Sequence, residues 1–441
     1  TYANGGIGTD TNKFIVKDNA AGAYGVSGPG TNYVGYSFRA GGKPTATNSA
    51  GAGNSPTSGS VMIDGSASTT ALAGNVQANK MSVNTTLDFS IVQFTTSSGS
   101  TNEVPHGLSG TPDLFIFKRA DSSGSWYAYT QLIDGSLDYL SLNNTDAKSD
   151  ASETAPTATT VYQPTSSASR DYMLYSFKSV PGISKVGTFT GDGTSSKLIE
   201  TGFKVGWVMI KNTATTYRWY QLDIQRGGSS RLFVDDSAVA STTQETIRFL
   251  ENGFEITTSD AEVNQSGSTM LYLAFAVDPS TTTPSLANSF NAVENTSPTT
   301  NQAIAAGFTP DMVWIKGSNI GSGNATSWGQ YDTIRGSGIS LQSDNDGAQY
   351  DYNGHPSGDL GMAFTSTGYN TPPVVNNNVN NASDDYINYF WKAGGLGSIN
   401  TTGTITSIVS ANAAAGISVV KYSGNGSASQ TYAHGLSNKP A

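Results

Sequence analysis

The sequence is short of the residues on which most protein chemistry depends. Its 441 residues include no cysteine, 3 histidines and 13% charged side chains, with a formal net charge of −10. The absence of cysteine excludes disulfide bonds and thiolate metal sites. The acidic balance argues against nucleic acid, whose binding needs clustered basic residues. No run reaches the roughly 18 apolar residues of a membrane helix, so we expect no membrane insertion.

What the chain has instead is typical of turn-rich β structure. It contains 50 Gly, 21 Tyr and 17 Phe. Aromatic and β-branched residues favour strands, whereas Gly, Asn and Ser favour turns. A disordered chain would have fewer aromatic residues and more charge. The composition therefore predicts an all-β protein.

The sequence also repeats itself. Residues 82–112 align without a gap on residues 410–440, and 9 of these 31 positions are identical. Phe38-Arg-Ala-Gly-Gly returns as Trp391-Lys-Ala-Gly-Gly. A long internal period of this kind indicates an array of similar units.

Three complete modules can be aligned, at residues 83–180, 183–280 and 287–395. Each has an opening strand, a Gly-plus-apolar corner, an apolar strand that ends in Lys, a Trp, and a closing strand that begins with Tyr. The Lys-ending strands are LFIFK (114–118), WVMIK (207–211) and MVWIK (312–316), and the closing strands begin at Tyr172, Tyr272 and Tyr386. Such apolar runs predict strands covered on both faces. The two-residue period of a strand predicts matching orientations for Tyr172 and Tyr386.

We therefore predict tandem antiparallel β-sandwich modules, jelly-roll-like, joined by Gly/Ser/Thr-rich linkers. Residues 1–42 match the back half of a module, 43–82 a linker with an insertion, and 396–441 a linker and the front half of another module. A polar hinge is predicted at 279–285. The nearest helix candidate, 238–251, predicts one short helix or a turn. The simplest interpretation is a window of a longer array; the alternative is that the two halves pair between neighbouring molecules, by strand addition.

Several segments carry a family resemblance: FSIVQFTT, HGLSGTPDLFIFK, TGFKVGWVMIK, YINYFWKAGG and the insertion GSVMIDGSASTTALAG (59–74). They resemble modules of tail-fibre and other virion proteins of tailed bacteriophages, marine ones in particular. The resemblance covers nearly the whole chain. It implies a non-enzymatic structural or adhesive part of a virion, built from tandem β-sandwiches. It supplies no catalytic or binding residues that could be carried over.

The titratable residues give no pattern of a metal or catalytic site. His106 and His434 precede Gly-Leu at equivalent corners, where a histidine most often hydrogen-bonds its own turn. A zinc site needs three or four converging ligands, and a nucleophile needs an oriented base. No spacing of either kind is present, so we predict no metal, no cofactor and no catalytic residue. A pair of carboxylates distant in sequence, as in a glycosidase, stays open.

Most carboxylates fall in turns. Asp134, Asp192, Asp260 and Asp359 are predicted to cap their own backbone. Asp344-Asn-Asp-Gly347 hints at a calcium loop, but it lacks the oxygen spacing and the terminal Glu of an EF-hand. A calcium ion there is a hypothesis only.

Two recurring elements have a structural and a functional interpretation. Asp-x-x-Arg-Gly occurs in modules 2 and 3, where Arg226 and Arg335 either hold their own Asp by charge-assisted hydrogen bonds or face an anionic glycan. One Trp recurs in each module, and these residues either stack on sugars or cover the core. The tryptophans are Trp126, Trp219 and Trp328. Recurrence at equivalent places favours the structural interpretation of both.

Residues outside the repeat are better candidates for ligand contact, because binding residues concentrate on loops held by a rigid scaffold. In module 3 these are Tyr350, Tyr352, His355 and Tyr369. The preferred function is a bacteriophage virion appendage, a tail fibre, that presents a host-attachment surface by non-covalent binding. The expected location is the surface of the virion, and the expected partners are other virion proteins, further copies of the chain (a trimer is one option) and a host cell-surface glycan or protein. The alternatives are a capsid-surface fibre or decoration protein, a glycan-degrading tailspike and a secreted cellular adhesin.

Overall fold

The computed structural model describes most of the chain, in two units. One unit spans Thr1–Ala40 and the other Gly41–Ala441. The described residues are 6–10, 13–17, 40–99, 101–163, 168–236, 245–277, 289–297, 301–319, 326–344, 348–352, 361–372, 379–381 and 384–436. In the first unit β1 (Gly6–Asp10) and β2 (Lys13–Lys17) form an antiparallel hairpin. The hinge at 279–285, His355 and Asp359 lie outside the described residues.

Module 1 combines a large sheet with a small one. Its strands are β3 (Val61–Ile63), β4 (Ser66–Ser68), β5 (Ala78–Asn84), β6 (Phe89–Thr95), β7 (Asn102–Pro105), β8 (Leu114–Arg119), β9 (Trp126–Thr130), β10 (Asp138–Ser141), β11 (Ser149–Asp150), β12 (Thr160–Gln163) and β13 (Asp171–Phe177). The large sheet has 9 strands in the order β11-β10-β9-β8-β13-β6-β5-β3-β4, and β7 pairs with β12. All of these pairs are antiparallel except β3 with β5.

Module 2 repeats this plan. Its elements are β14 (Ser184–Thr190), β15 (Lys197–Glu200), β16 (Val205–Asn212), β17 (Trp219–Asp223), β18 (Leu232–Phe233), β19 (Ile247–Leu250), β20 (Gly253–Ile256), α1 (Ala261–Asn264) and β21 (Thr269–Ala276). The large sheet has the order β14-β21-β16-β17-β18, and the small sheet the order β15-β20-β19.

Module 3 and the C-terminal segment follow. Module 3 contains β22 (Phe290–Thr296), β23 (Ala303–Ala305), β24 (Met312–Asn319), β25 (Gly329–Asp332), β26 (Gly336–Leu341), β27 (Tyr350–Asp351), β28 (Ala363–Thr365), β29 (Gly368–Asn370) and β30 (Asp385–Trp391). Its sheets have the orders β22-β30-β24-β25-β26-β27 and β23-β29-β28. The C-terminal sheet consists of β31 (Ser398–Asn400), β32 (Ser407–Asn412) and β33 (Ile417–Tyr422), in that order.

The three modules share one topology, which confirms the predicted tandem all-β fold. In each, the closing strand lies between the opening strand and the Lys-ending strand, and the strand that carries or follows the Trp comes next. The core of each module lies between its large and small sheets. In module 2, for example, Val208 and Tyr272 of the large sheet and Phe254 of the small sheet belong to one buried cluster. Tyr172 and Tyr386 both pack toward the core of their own module, as the strand period predicts.

Two predictions about local structure were wrong. Residues 43–82 do not act only as a linker, because β3 and β5 extend the sheet of module 1 beyond its opening strand. Residues 238–244 of the helix candidate lie outside the described residues, and the rest of it forms a strand instead, because β19 pairs with β20 across a tight turn. The four-residue helix α1 lies further along the chain, where the Asp260 side chain accepts a hydrogen bond from the Glu262 amide.

The lysine that ends each apolar strand has a shared structural role. Its ammonium group donates to a backbone carbonyl of the loop that leads to the Trp strand. Lys118 Nζ lies 2.5 Å from the Gly124 oxygen, Lys211 Nζ lies 3.3 Å from the Thr215 oxygen, and Lys316 contacts the Thr326 oxygen. A charged donor makes a stronger bond than a neutral one. The recurrence of Lys therefore follows from the need to hold this loop.

Modules 1 and 2 pack directly against each other. Trp219 is 1% exposed, and its Nε1 donates to the Ser141 oxygen of module 1 at 2.9 Å. The ring centroids of Phe177 and Phe275 lie 6.3 Å apart across the junction. Lys211 is fully buried, and its Nζ also donates to the Thr145 oxygen of module 1 at 3.3 Å. Burial lowers the pKa of Lys211 to about 8.

A smaller apolar cluster joins module 2, module 3 and the C-terminal sheet. Leu250, Ile334, Ile399 and Ile408 pack together there. Arg248 of module 2 donates to the Arg335 oxygen of module 3 at 2.7 Å. These contacts fix the position of the C-terminal sheet beside modules 2 and 3.

The junction between modules 1 and 2 yields a stability prediction. Trp219→Phe removes the hydrogen bond to Ser141, and we expect it to lower the free energy of unfolding by about 1–2 kcal/mol. Trp219→Ala also leaves a cavity, so the loss should rise to about 3–5 kcal/mol. Urea unfolding followed by circular dichroism measures both values. Equal stability of the alanine variant and the wild type would contradict the described packing.

Candidate functional site

The three recurring tryptophans do not share one environment. Trp219 is buried at the junction with module 1. Trp126 is half-buried and stacks on Tyr175, with ring centroids 5.9 Å apart. Trp328 is half-buried on the outer face of module 3, where its ring stacks on Tyr389 at 6.3 Å. Trp126 and Trp328 are therefore partly accessible, whereas Trp219 is not.

The two Asp-x-x-Arg-Gly elements close a corner of their own module. Arg226 Nε lies 2.6 Å from Asp223 Oδ2, and Arg335 Nε lies 2.6 Å from Asp332 Oδ2. In each case the arginine amide also donates to Oδ1 of the same aspartate. Both aspartates are buried, so the guanidinium groups compensate buried charge. The arginines are thus held in place by their own motif.

The aromatic residues predicted to contact a ligand in module 3 separate into two groups. Tyr350 is 49% exposed, and its ring lies 4.7 Å from that of Tyr352. Tyr352 and Tyr369 belong to the buried core, which corrects the expectation that they form a binding loop. The Tyr369 hydroxyl donates to Asn388 Oδ1 at 2.6 Å. The physical reason is that β29 carries Tyr369 into the small sheet, facing the closing strand.

The histidines at the repeated corner bond their own turn, as predicted. His106 Nδ1 accepts from the Leu108 amide at 3.1 Å, and His434 Nδ1 accepts from the Leu436 amide at the same distance. His106 is fully buried, and burial lowers its pKa to about 4. The neutral ring is therefore part of the fold of module 1 at pH 7.

Three aspartates of module 1 surround one lysine. Lys148 Nζ lies 2.5 Å from Asp134, 2.7 Å from Asp138 and 2.9 Å from Asp150. Burial raises the pKa of Asp138, against the opposing effect of Lys148. Within the described ranges these carboxylates are close enough together to share a cation. The ammonium group of Lys148 already has that role.

The best candidate for ligand binding is a cleft between module 2, module 3 and the C-terminal sheet. It consists of two grooves, of about 610 Å³ and about 370 Å³, which share Lys421 and Tyr422. The larger groove lies between module 2 and the C-terminal sheet, and its wall combines hydroxyl, amide and apolar groups. Its residues include Thr194, Ser196, Leu198, Thr404, Ile405, Ile408 and Asn425. The smaller groove lies between Trp314 of module 3 and Val419 of β33.

The charges in the larger groove are paired. Glu255 bonds to Lys421 at 2.6 Å and to Arg248 at 2.8 Å, and Lys197 lies 3.7 Å from Asp192. Burial opposes ionisation of Asp192, but hydrogen bonds from Thr194 and Asn264 outweigh it and hold its pKa below the usual value. The groove therefore offers hydrogen-bonding groups with little net charge, which suits a neutral polar ligand better than an ion.

Tyr422 adds an aromatic surface to the cleft. It is 46% exposed and stacks on Tyr432, which is 44% exposed, with centroids 4.2 Å apart and planes at 19°. A second tyrosine behind it restrains the ring, so a ligand that stacks on Tyr422 finds it already oriented. Such an apolar surface beside polar groups is typical of a small-molecule site.

Comparison with known proteins assigns a family. The profile of a family described as a domain of unknown function, DUF7483, matches residues 3–279 and 287–441. The chain belongs to the DUF7483 family. No curated protein matches the chain. The interval between the two DUF7483 matches coincides with the polar hinge predicted from the sequence.

The cleft of this DUF7483 chain was missed by sequence reasoning. Trp314 stands in an apolar strand that predicted burial on both faces, and Tyr422 stands in a segment assigned to an incomplete module. One signal was available: the position two residues before the strand-ending Lys is Ile116 in module 1, Met209 in module 2 and Trp314 in module 3. A change to Trp at one of three equivalent positions indicates a different environment there.

The buried histidine gives a pH prediction. The unfolded chain protonates His106 near pH 6.5, whereas the folded chain protonates it only near pH 4. This contribution to stability is complete above pH 6.5 and is lost as the pH falls toward 4, by about 3 kcal/mol. His106→Asn keeps an acceptor for the Leu108 amide and removes the titration. Urea unfolding at pH 7 and pH 4 should show a smaller acid loss in the variant, and equal losses would contradict the burial of the ring.

Proposed function

We propose that this chain is a structural part of a tailed-bacteriophage virion, a tail fibre or similar appendage, that presents a host-attachment surface. The family resemblance of its modules motivates the proposal. The packing of modules 1 and 2 through Trp219 and Lys211 supports it, because an attachment part must hold its binding surface in a fixed orientation. Other virion proteins and further copies of the chain are the proposed partners.

The observation that carries the binding part of the proposal is the cleft. Paired charges, hydroxyl groups and the exposed ring of Tyr422 suit a neutral host-surface glycan, whose hydroxyls need donors and acceptors and whose ring faces stack on aromatics. Weak binding at one cleft would be strengthened by several copies on one particle through effective concentration. A capsid-surface fibre, a decoration protein or a secreted adhesin would use the same cleft at another location.

The tailspike alternative requires catalysis at this cleft. A glycosidase needs one carboxylic acid that stays protonated to donate to the leaving group, and a second carboxylate opposite it. Asp192 and Glu255 line the same groove, but the pKa of Asp192 is lowered and Glu255 is held between Arg248 and Lys421. Their arrangement favours binding over hydrolysis.

Glycan binding tests the proposal directly. We expect the purified chain to bind neutral oligosaccharides on an array that also contains sulfated and uronic acid glycans. Tyr422→Ala should weaken that binding about 10-fold or more, since a lost stacking surface costs about 1–2 kcal/mol. Tyr127→Ala, which removes another exposed tyrosine from module 1, is the matched control and should bind like wild type.

Two results would overturn the proposal. One is the absence of binding to every glycan on the array and to intact host cells. The other is release of reducing sugar from host polysaccharide, which would favour the tailspike. Immunogold labelling of intact particles with antibodies against this chain decides between tail, capsid and non-virion locations.

A further inference from the structure

The outer face of the large sheet in module 3 carries a cluster of aromatic rings. Trp391 lies 5.4 Å from Phe290 and 5.6 Å from Trp314, measured between ring centroids. Trp328 lies 6.4 Å from Trp314 and 6.3 Å from Tyr389. We call these five residues the aromatic face. Phe290 is 53% exposed, and the other four are half-buried.

The strand period places these rings away from the core of module 3. In β30 the alternate residues Tyr386 and Phe390 belong to the core cluster, so Tyr389 and Trp391 point to the opposite side. In β24 Val313 and Ile315 belong to the core, so Trp314 points outward. The prediction that this strand is covered on both faces was therefore wrong for module 3.

The equivalent faces of modules 1 and 2 are covered at this position, although Trp126 and Tyr175 of module 1 stay half-buried. Ile116 and Met209, which occupy the position of Trp314, are each 7% exposed. Neither belongs to the core cluster of its own module. The contact of Phe177 with Phe275 and the bond from Trp219 to Ser141 join these two faces. In this chain, the outer face of one module thus binds the outer face of another.

The partner of the aromatic face must come from outside the described modules of one chain. Modules 1 and 2 already use their outer faces on each other. The C-terminal sheet borders the aromatic face through Val419 and Tyr422, along the smaller groove, without burying it. A second copy of the chain supplies an identical face, and contact of like with like generates a closed twofold dimer.

The chemistry of the aromatic face suits a protein partner. Five large rings that are mostly half-buried leave roughly 300–500 Å² of apolar surface accessible, as much as the largest patch on an ordinary monomer. Stable interfaces bury about 800 Å² per partner and have an aromatic centre with a polar rim. The rings also pack edge to face with each other, at 64° for Trp314 and Trp391 and 68° for Trp314 and Trp328, so they form no flat platform for a sugar chain.

We infer that the aromatic face of module 3 is a self-association surface, which binds the same face of a second copy of this chain. In the proposed dimer, two outer faces pack against each other, as those of modules 1 and 2 do within one chain. It names the surface of the self-association proposed above. The aromatic face shares Trp314 with the smaller groove of the cleft, but Phe290 and Trp391, which test it, line neither groove.

Sedimentation velocity over a concentration series tests the inference on the full chain. Wild type should sediment as a dimer that dissociates on dilution. Phe290→Ser should weaken the dimer about 10- to 100-fold, because the substitution acts on both copies. Phe290 is exposed, so its replacement leaves the core intact. A second variant, Trp391→Ser, tests the centre of the aromatic face. Tyr127→Ser is the control and should dimerise like wild type.

The absence of cysteine allows a second, site-specific measurement. Ala292 is exposed and lies beside Tyr389 on the aromatic face. Ala292→Cys should give a cross-linked dimer with a short bismaleimide, whereas Ala67→Cys, exposed on β4 of module 1, should not. A monomer at high concentration, a trimer, or an oligomer that persists in the Phe290 and Trp391 variants would overturn the inference. If the monomer binds glycans on an array and Trp391→Ser abolishes that binding, the aromatic face is a glycan-binding site instead.

Discussion

In each module, one small sheet packs against one large sheet, and this limits how much of the large sheet the module can bury by itself. The small sheet covers one face of the large sheet and creates the core, but the outer face of the large sheet is also rich in apolar residues. Burial of that outer face has to come from another module, because apolar area left in water costs roughly 25 cal/mol per Å². The arrangement of modules 1 and 2 follows from this constraint, and the aromatic face of module 3 is the counterpart that the described part of the chain leaves accessible.

The same constraint decides which polar groups are buried. Lys211 ends an apolar strand, and it becomes fully buried only because module 1 lies over it. Glu255 is buried beside Arg248 and Lys421, where module 2 meets the C-terminal sheet. A buried charge has to be paired or hydrogen-bonded. The hydrogen-bonded Lys211 at one junction and the paired charges at the other therefore fix orientation, and apolar contact provides most of the stabilisation.

Much of the fold could be predicted from the sequence, because local patterns determine it. The strand period, the Gly corners and the Lys-ending strands gave the module plan, and His106 bonds its own turn as the corner motif predicts. The site could not be predicted, because it forms from residues distant in sequence. Tyr422 and Thr194 line one groove only through the packing of the C-terminal sheet on module 2. Tyr369 was predicted to lie in a binding loop because the composition around it is typical of loops, whereas the short strand β29 buries its ring.

The short connection between modules 1 and 2 has a mechanical consequence. Val180 and Ser184 form a β-bridge at this connection, and the modules are joined side by side through their sheets. A pulling force along the chain must shear this broad contact before either module is loaded alone. The pair should therefore resist stretching as one unit.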